Sequence, residues 1–200
     1  MDQSLRRVLL VFAINAILSL VGFSMAMAHF GIPHVWLHPV TGTLWTFLLF
    51  AQMILAGKQS PNHKVVGRIA LIVLGISIYA ALRGVALSIG EDSPMPNSVL
   101  FVFVATGVGT LVYAAMGIAF AVNRHFEAHS TAMLLAGAVT MAAGIARLAG
   151  AFEALMGIPF QLTYSLSVLS MAAILWHWRP SQHYLVGSYL VLMGCVIFLR

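Results

Sequence analysis

The chain has 200 residues, of which 61% are hydrophobic and only 8% charged, with a formal net charge of +5. A soluble domain needs roughly a quarter charged residues to hydrate its surface; with a mean hydropathy of +0.98, this chain is excluded from that class and its outer surface must face a lipid bilayer. The basic residues stand singly at segment ends rather than clustered on a face, which argues against nucleic acid as a partner and fits membrane topology.

Seven apolar runs approach the ~20 helical residues needed to cross a ~30 Å hydrocarbon core. They lie near Leu5–Ala28, Leu37–Gly57, Lys64–Ile89, Ser98–Val122, Thr131–Met156, Pro159–Trp178 and His183–Leu199. The joins carry the Pro, Gly and charge that interrupt helices: Gly31-Ile32-Pro33, Lys58 to Asn62, Glu91 to Pro96, and Arg179-Pro180-Ser181. Backbone groups in lipid must bond within their own segment, and the runs do not alternate as barrel strands would. The expected fold is therefore all-α, a polytopic transmembrane bundle of seven helices forming one domain over residues 1–200. The last two runs are short and closely joined, so six spans with one re-entrant segment is the alternative count.

The first run begins after Arg6-Arg7 and ends at Ala26-Met27-Ala28, which imitates a secretory signal and its cleavage site. Its apolar stretch exceeds the ~7–15 residues of a signal core, so it reads as a genuine first helix. With the N-terminus cytoplasmic and the C-terminus outside, Arg6, Arg7, Lys58, Lys64, Arg68, Arg124 and Arg179 fall inside and only Arg200 outside. That distribution obeys the positive-inside rule. The single cysteine, Cys195, excludes an intrachain disulfide and a CxxC motif.

Polar residues at membrane depth are the informative ones, because burying them is costly. Arg83 and Arg147 both fall in the outer half of the bilayer. Arg83, close to Glu91-Asp92, fits either snorkelling to headgroups or a site, whereas Arg147 is expected to face the bundle interior. Together they suit an anionic group held by bidentate hydrogen bonds. His38 opens the second helix at the same face. His63 and His129 open two different helices from the cytoplasmic side, and His125 lies four residues before His129. Neutral imidazoles converging there would ligate a metal or a haem iron; the competing reading is that each caps a helix or meets a headgroup. Trp36, Trp45, Trp176 and Trp178 suit interfacial belts. The small-residue runs at Gly107-Val108-Gly109 and Ala142-Ala143-Gly144 read as close helix contacts.

The stretches opened by His63 and His129 form a weak repeat: each cytoplasmic histidine is followed 18 to 20 residues later by an arginine, Arg83 or Arg147. The two helices run the same way, as a parallel duplication requires. These stretches also resemble a widespread bacterial family of predicted membrane proteins of unassigned function, whose helix starts read H-R-x-x-G-R and H-x-x-W-M-x-R. His63, Gly67 and Arg68 match the first motif, with Lys64 in place of its arginine. His129, Met133 and Arg147 match the second, whereas Ala132 replaces its tryptophan and Leu135 its inner arginine. The likeness runs roughly from His38 to Arg147 and implies a multi-pass protein of the bacterial inner membrane.

The candidate cofactor-binding residues are thus His38, His63, Arg68, Arg83, His129 and Arg147, and the candidate metal ligands His63, His125 and His129. They suggest a buried site for a cofactor or small anionic ligand, with b-type haem or a quinone foremost. The fourth run has no histidine, so the b561 pattern of bis-histidine haems at both faces is excluded. A small-molecule or proton-coupled transporter is the first alternative, although no Asp or Glu lies mid-membrane. An assembly or scaffolding subunit of a membrane complex is the second. No serine or cysteine has a credible base and orienter for nucleophilic chemistry.

Overall fold

A computed structural model of the protein describes residues 3–30, 37–89 and 97–198. They form α1 (Gln3–Phe30), α2 (Leu37–Gly57), α3 (Asn62–Ile89), α4 (Asn97–Val122), α5 (Phe126–Met156), α6 (Phe160–Trp178) and α7 (His183–Phe198), with a 3-10 turn at Pro180–Gln182 and no strand among the described residues. The acidic pair Glu91-Asp92, together with His34 and Trp36, lies outside them.

The helix ends follow backbone bonding more closely than hydropathy. α5 begins at Phe126, earlier than the apolar run suggests, because the His129 N–H already donates to the His125 carbonyl at 2.8 Å. Glu127 in that first turn also suits the positive end of the helix dipole. At its other end α5 stops at Gly157, whose φ of 68° is a left-handed conformation that favours glycine.

Six helical segments are long and apolar enough to cross a membrane: α1 to α5, and α7 with the turn before it. α6 is less apolar because of Gln161, Thr163, Tyr164, Ser165, Ser167 and Ser170, yet it packs within the bundle against α5, α7 and α1. Part of that polarity is turned inward. The Ser167 hydroxyl donates to Oδ1 of Asn15 on α1, while Asn15 Nδ2 donates to the Val11 carbonyl at 2.9 Å and to Ser170 Oγ at 3.4 Å. Replacing Asn15 by alanine should therefore cost about 0.6–2 kcal/mol, the span found for interhelical hydrogen bonds in membranes. Thermal unfolding in detergent would measure it, and an unchanged midpoint would show that the serines find other partners.

α5 is the central helix. Its membrane-length window is 78% buried, against 28–39% for the other five. It packs on α1, α2, α4, α6 and α7, whereas α3 reaches the bundle through α2 and α4. The α1–α5 crossing is a backbone contact: a Cβ on Gly22 would overlap the Gly144 carbonyl, and one on Gly144 would strike Ser19 and Phe23. Of the two small-residue runs, Gly144 and Gly109 do make close contacts, but Gly107 faces open space. Trp45 departs from the interfacial expectation. It is 0% exposed in the core, and its indole nitrogen has no hydrogen-bond partner among the described residues.

The hairpins α2–α3 and α4–α5 are built alike. Each first helix is followed, two residues past its end, by a left-handed residue, Gln59 at φ 52° or Arg124 at φ 62°, the two non-glycine residues of positive φ among the described residues. Gln59 N–H bonds the Ala56 carbonyl and Ser60 N–H the Leu55 carbonyl; Arg124 N–H bonds Ala121 and His125 N–H bonds Phe120. Both are the same Schellman arrangement, in which glycine is the usual left-handed residue. A left-handed side chain costs ~1–2 kcal/mol, partly offset by the ~0.5–1 kcal/mol of backbone entropy that glycine loses. Gln59→Gly and Arg124→Gly should each raise stability by up to about 1 kcal/mol, read as a higher unfolding midpoint. A lower midpoint would mean that the side chains contribute more than the strain costs.

Candidate functional site

The polar residues gather at two ends of the bundle. At one end lie His63 and His129. His63, in the first turn of α3, reaches back to α2, with Nδ1 3.2 Å from the Gln52 carbonyl. Gln52 answers by donating Nε2 to the His63 carbonyl at 2.8 Å. Gly67, one turn further along α3, makes room for that amide: a Cβ there would lie 2.5 Å from Gln52 Nε2. His129, in the first turn of α5, reaches back to α4, with Nδ1 2.8 Å from the Gly117 carbonyl. Met133, one turn on, covers Gly117, whose Cβ would lie 2.6 Å from its Sδ. The duplication extends to these acceptors. Gln52 and Gly117 each stand seven residues before the left-handed residue of their hairpin.

A carbonyl oxygen only accepts, so each Nδ1 carries the proton, and in the neutral rings each Nε2 holds a lone pair. The two rings neighbour one another in a T-shaped arrangement, with centroids 6.4 Å apart and planes 81° from parallel.

The other expected members of this end stand apart. His125 is exposed, with its ring against Phe120 at 6.4 Å, and Arg68 is exposed on α3. No group of three His, Cys, Asp or Glu side chains is placed to hold a metal among the described residues. Nearby, Glu127 clasps the α6–α7 turn: Arg179 Nη1 lies 3.2 Å from its Oε1, and Ser181 Oγ donates to its Oε2 at 2.9 Å. Arg179 also stacks on Trp178 at 4.1 Å, and Trp176 on His183 at 3.8 Å.

The second polar group lies towards the far end of α5. Arg147 places its guanidinium 4.8 Å over the Phe23 ring and donates Nη1 to the Ala143 carbonyl at 2.9 Å. His38 meets the same Phe23 edge-on at 6.4 Å, and its Nδ1 donates to the Ser77 carbonyl at 3.1 Å. Thus α1, α2, α3 and α5 all contribute. The Arg179–Glu127 pair is the one ion pair among the described residues, so no carboxylate of theirs touches Arg147. Arg83 is not beside it: its side chain is exposed on α3, which does not pack on α5. The two-arginine clamp expected from depth alone is absent because depth does not set rotation about the helix axis.

Between the ends, hydroxyls bridge helices, Thr110 to Thr140 at 3.0 Å and Tyr113 to Ser188 at 2.8 Å. A cavity lined by Asn15, Tyr164, Ser167 and Tyr189 is the size of a water molecule and has the polar groups to hold one. Sequence reasoning missed Gln52 and Asn15, although an amide within an apolar run is itself a signal of a buried partner. The chain matches no family model, no curated protein and no solved structure.

Proposed function

We propose that this is a multi-pass protein of the bacterial inner membrane, N-terminus cytoplasmic, that binds an oxygen-bearing ligand, a quinone head or a small anion, beside Arg147. One observation carries the reading: Arg147 points into the bundle at membrane depth with no carboxylate of the described residues on it. A membrane-buried guanidinium is unfavourable unless opposite charge or acceptors meet it. Its own-helix bond to Ala143 satisfies one of its five donors. Phe23 neighbours both Arg147, which lies over its ring, and His38, edge-on to it, and this cluster suits a flat or oxygen-rich head.

The test is ligand-induced stabilisation of detergent-purified protein by a short-chain quinone and, separately, by inorganic phosphate. A ligand at 100 times its Kd adds about 2.7 kcal/mol of stability, so one of the two should raise the unfolding midpoint clearly. Arg147→Ala should abolish the rise, and Arg147→Lys should weaken it by removing the planar fork. Arg83→Ala should leave it intact. If neither ligand moves the wild type, or Arg147→Ala responds equally, the reading fails.

The duplicated hairpins favour a second reading, a carrier, because parallel repeats about an axis along the membrane normal recur in transporters. Flux of the stabilising ligand into liposomes, lost in Arg147→Ala, would select it.

A further inference from the structure

The geometry points to a second, independent site: we infer that His63 and His129 together hold one metal centre that takes two imidazoles in trans, either haem iron or copper(I). Three observations converge. Each Nδ1–H is held by a carbonyl of the preceding helix, which sets the tautomer and leaves the lone pair on Nε2, as metal-ligating histidines are set. Next, the spacing suits one metal between two rings. A metal–imidazole bond of ~2.0–2.1 Å, plus roughly 1.1 Å from nitrogen to ring centroid, needs centroids about 6.3 Å apart once each Nε2 turns onto the line between the rings; the centroids stand at 6.4 Å. Finally, the rings reach across between α3 and α5, whose backbones nowhere approach within 8 Å. A pair serving only to pack helices would be expected where helices touch.

The duplication adds a symmetry argument. The two histidines sit one residue out of register in hairpins built alike, His63 11 residues after Gln52 and His129 12 after Gly117, yet both are anchored to the matching carbonyl. A ligand on the axis relating the hairpins would receive the same donor from each, as a trans pair supplies. Tetrahedral zinc would need further protein ligands, and no third His, Cys, Asp or Glu joins the pair among the described residues. Haem iron takes its other ligands from the macrocycle, and copper(I) is satisfied by two; both accept imidazole.

The site is separate from the Arg147 reading, since 18 residues of α5 put His129 and Arg147 ~27 Å apart. Loss of one leaves the other standing. The test is purification of the full chain from haem-supplied cells, with an absorption spectrum and haem per chain, and in parallel copper retained after exposure to copper(I) under reducing conditions. The expected result is about one haem with a low-spin, bis-imidazole spectrum, or about one copper per chain. His63→Asn and His129→Asn each keep an amide N–H where Nδ1–H stood, so they preserve the tie to the carbonyl while removing Nε2. Each should lower occupancy at least tenfold while the protein stays monodisperse; exposed His125→Asn should not. Wild-type protein that retains neither haem nor copper(I) overturns the proposal, as do Asn variants that retain the wild-type amount.

Discussion

Gly22→Ala and Gly144→Ala should each destabilise the bundle more than any other glycine-to-alanine change among the described residues. At most helix contacts an added methyl meets the end of a side chain, which can move aside. Here the methyl on Gly22 would overlap the Gly144 carbonyl and lie 3.0 Å from the Leu148 nitrogen, and both are backbone. From the other side, the methyl on Gly144 would strike the Ser19 carbonyl and lie 2.9 Å from Phe23 Cδ2. The helices can only separate, which loosens the α1–α5 face and lifts Phe23 away from Arg147. Overpacking typically costs ~1–3 kcal/mol, and the upper part of that range is expected where main chain cannot give way. The controls are Gly107→Ala and Gly194→Ala, whose added methyls would meet nothing within 4 Å; relief of helix entropy should leave those neutral or more stable by up to about 1 kcal/mol. Unfolding midpoints in one detergent would compare all four. Wild-type behaviour of Gly22→Ala would mean that α1 and α5 do not cross at this glycine pair.

Much of this architecture is legible in the sequence because a lipid solvent makes few demands, and strict ones. Uninterrupted apolar runs must be helices, and Pro, Gly and charge mark their joins. α2 coincides with its apolar run, and α4 and α6 begin within a residue of theirs. The expectation falters where polarity and backbone bonding part company. The stretch Phe126 to Ser130 is too polar to read as membrane helix, yet it opens α5. α6 looks weak because hydropathy counts Ser167 and Ser170 as polar whether or not they are satisfied, and in the bundle both meet Asn15. Composition likewise places a tryptophan at the interface, whereas Trp45 is sealed in the core.

For the sites, depth is legible and rotation is not. Counting residues from the helix starts puts His63 level with His129, and Arg83 level with Arg147. The first pair meets and the second does not. The difference is the angle at which each helix presents the residue, which is set by contacts such as Gly67 against Gln52 and Gly117 against Met133. Both contacts involve residues of the H-x-x-x-G and H-x-x-x-M spacings. One turn after each histidine, a close approach to the preceding helix fixes the phase that brings the rings together.

Arg147→Met separates a ligand role from a structural one by the sign of its effect. In the ligand-free protein a guanidinium at membrane depth, met by no carboxylate of the described residues, is unfavourable by up to the ~2.5–3.5 kcal/mol that applies at the bilayer centre. Of its contacts, the bond to Ala143 lies within α5 and joins no two helices. The stacking on Phe23 does link α5 to α1, but cation–π contacts contribute only ~0.5–2 kcal/mol. Methionine keeps the length of the stem and a favourable contact with the ring, while removing the charge. The ligand-free variant should therefore unfold at a higher temperature than the wild type, by on the order of 1–2 kcal/mol, and should no longer respond to quinone or phosphate. A residue whose work is to pin α1 to α5 would behave in the opposite way, with a lower midpoint and an undiminished ligand response. Arg83→Met, on an exposed face of α3, should move neither quantity, which fixes the baseline for replacing any arginine in this chain. Gained stability together with a lost response would mean that the cation at Arg147 is balanced only when a ligand supplies the missing acceptors.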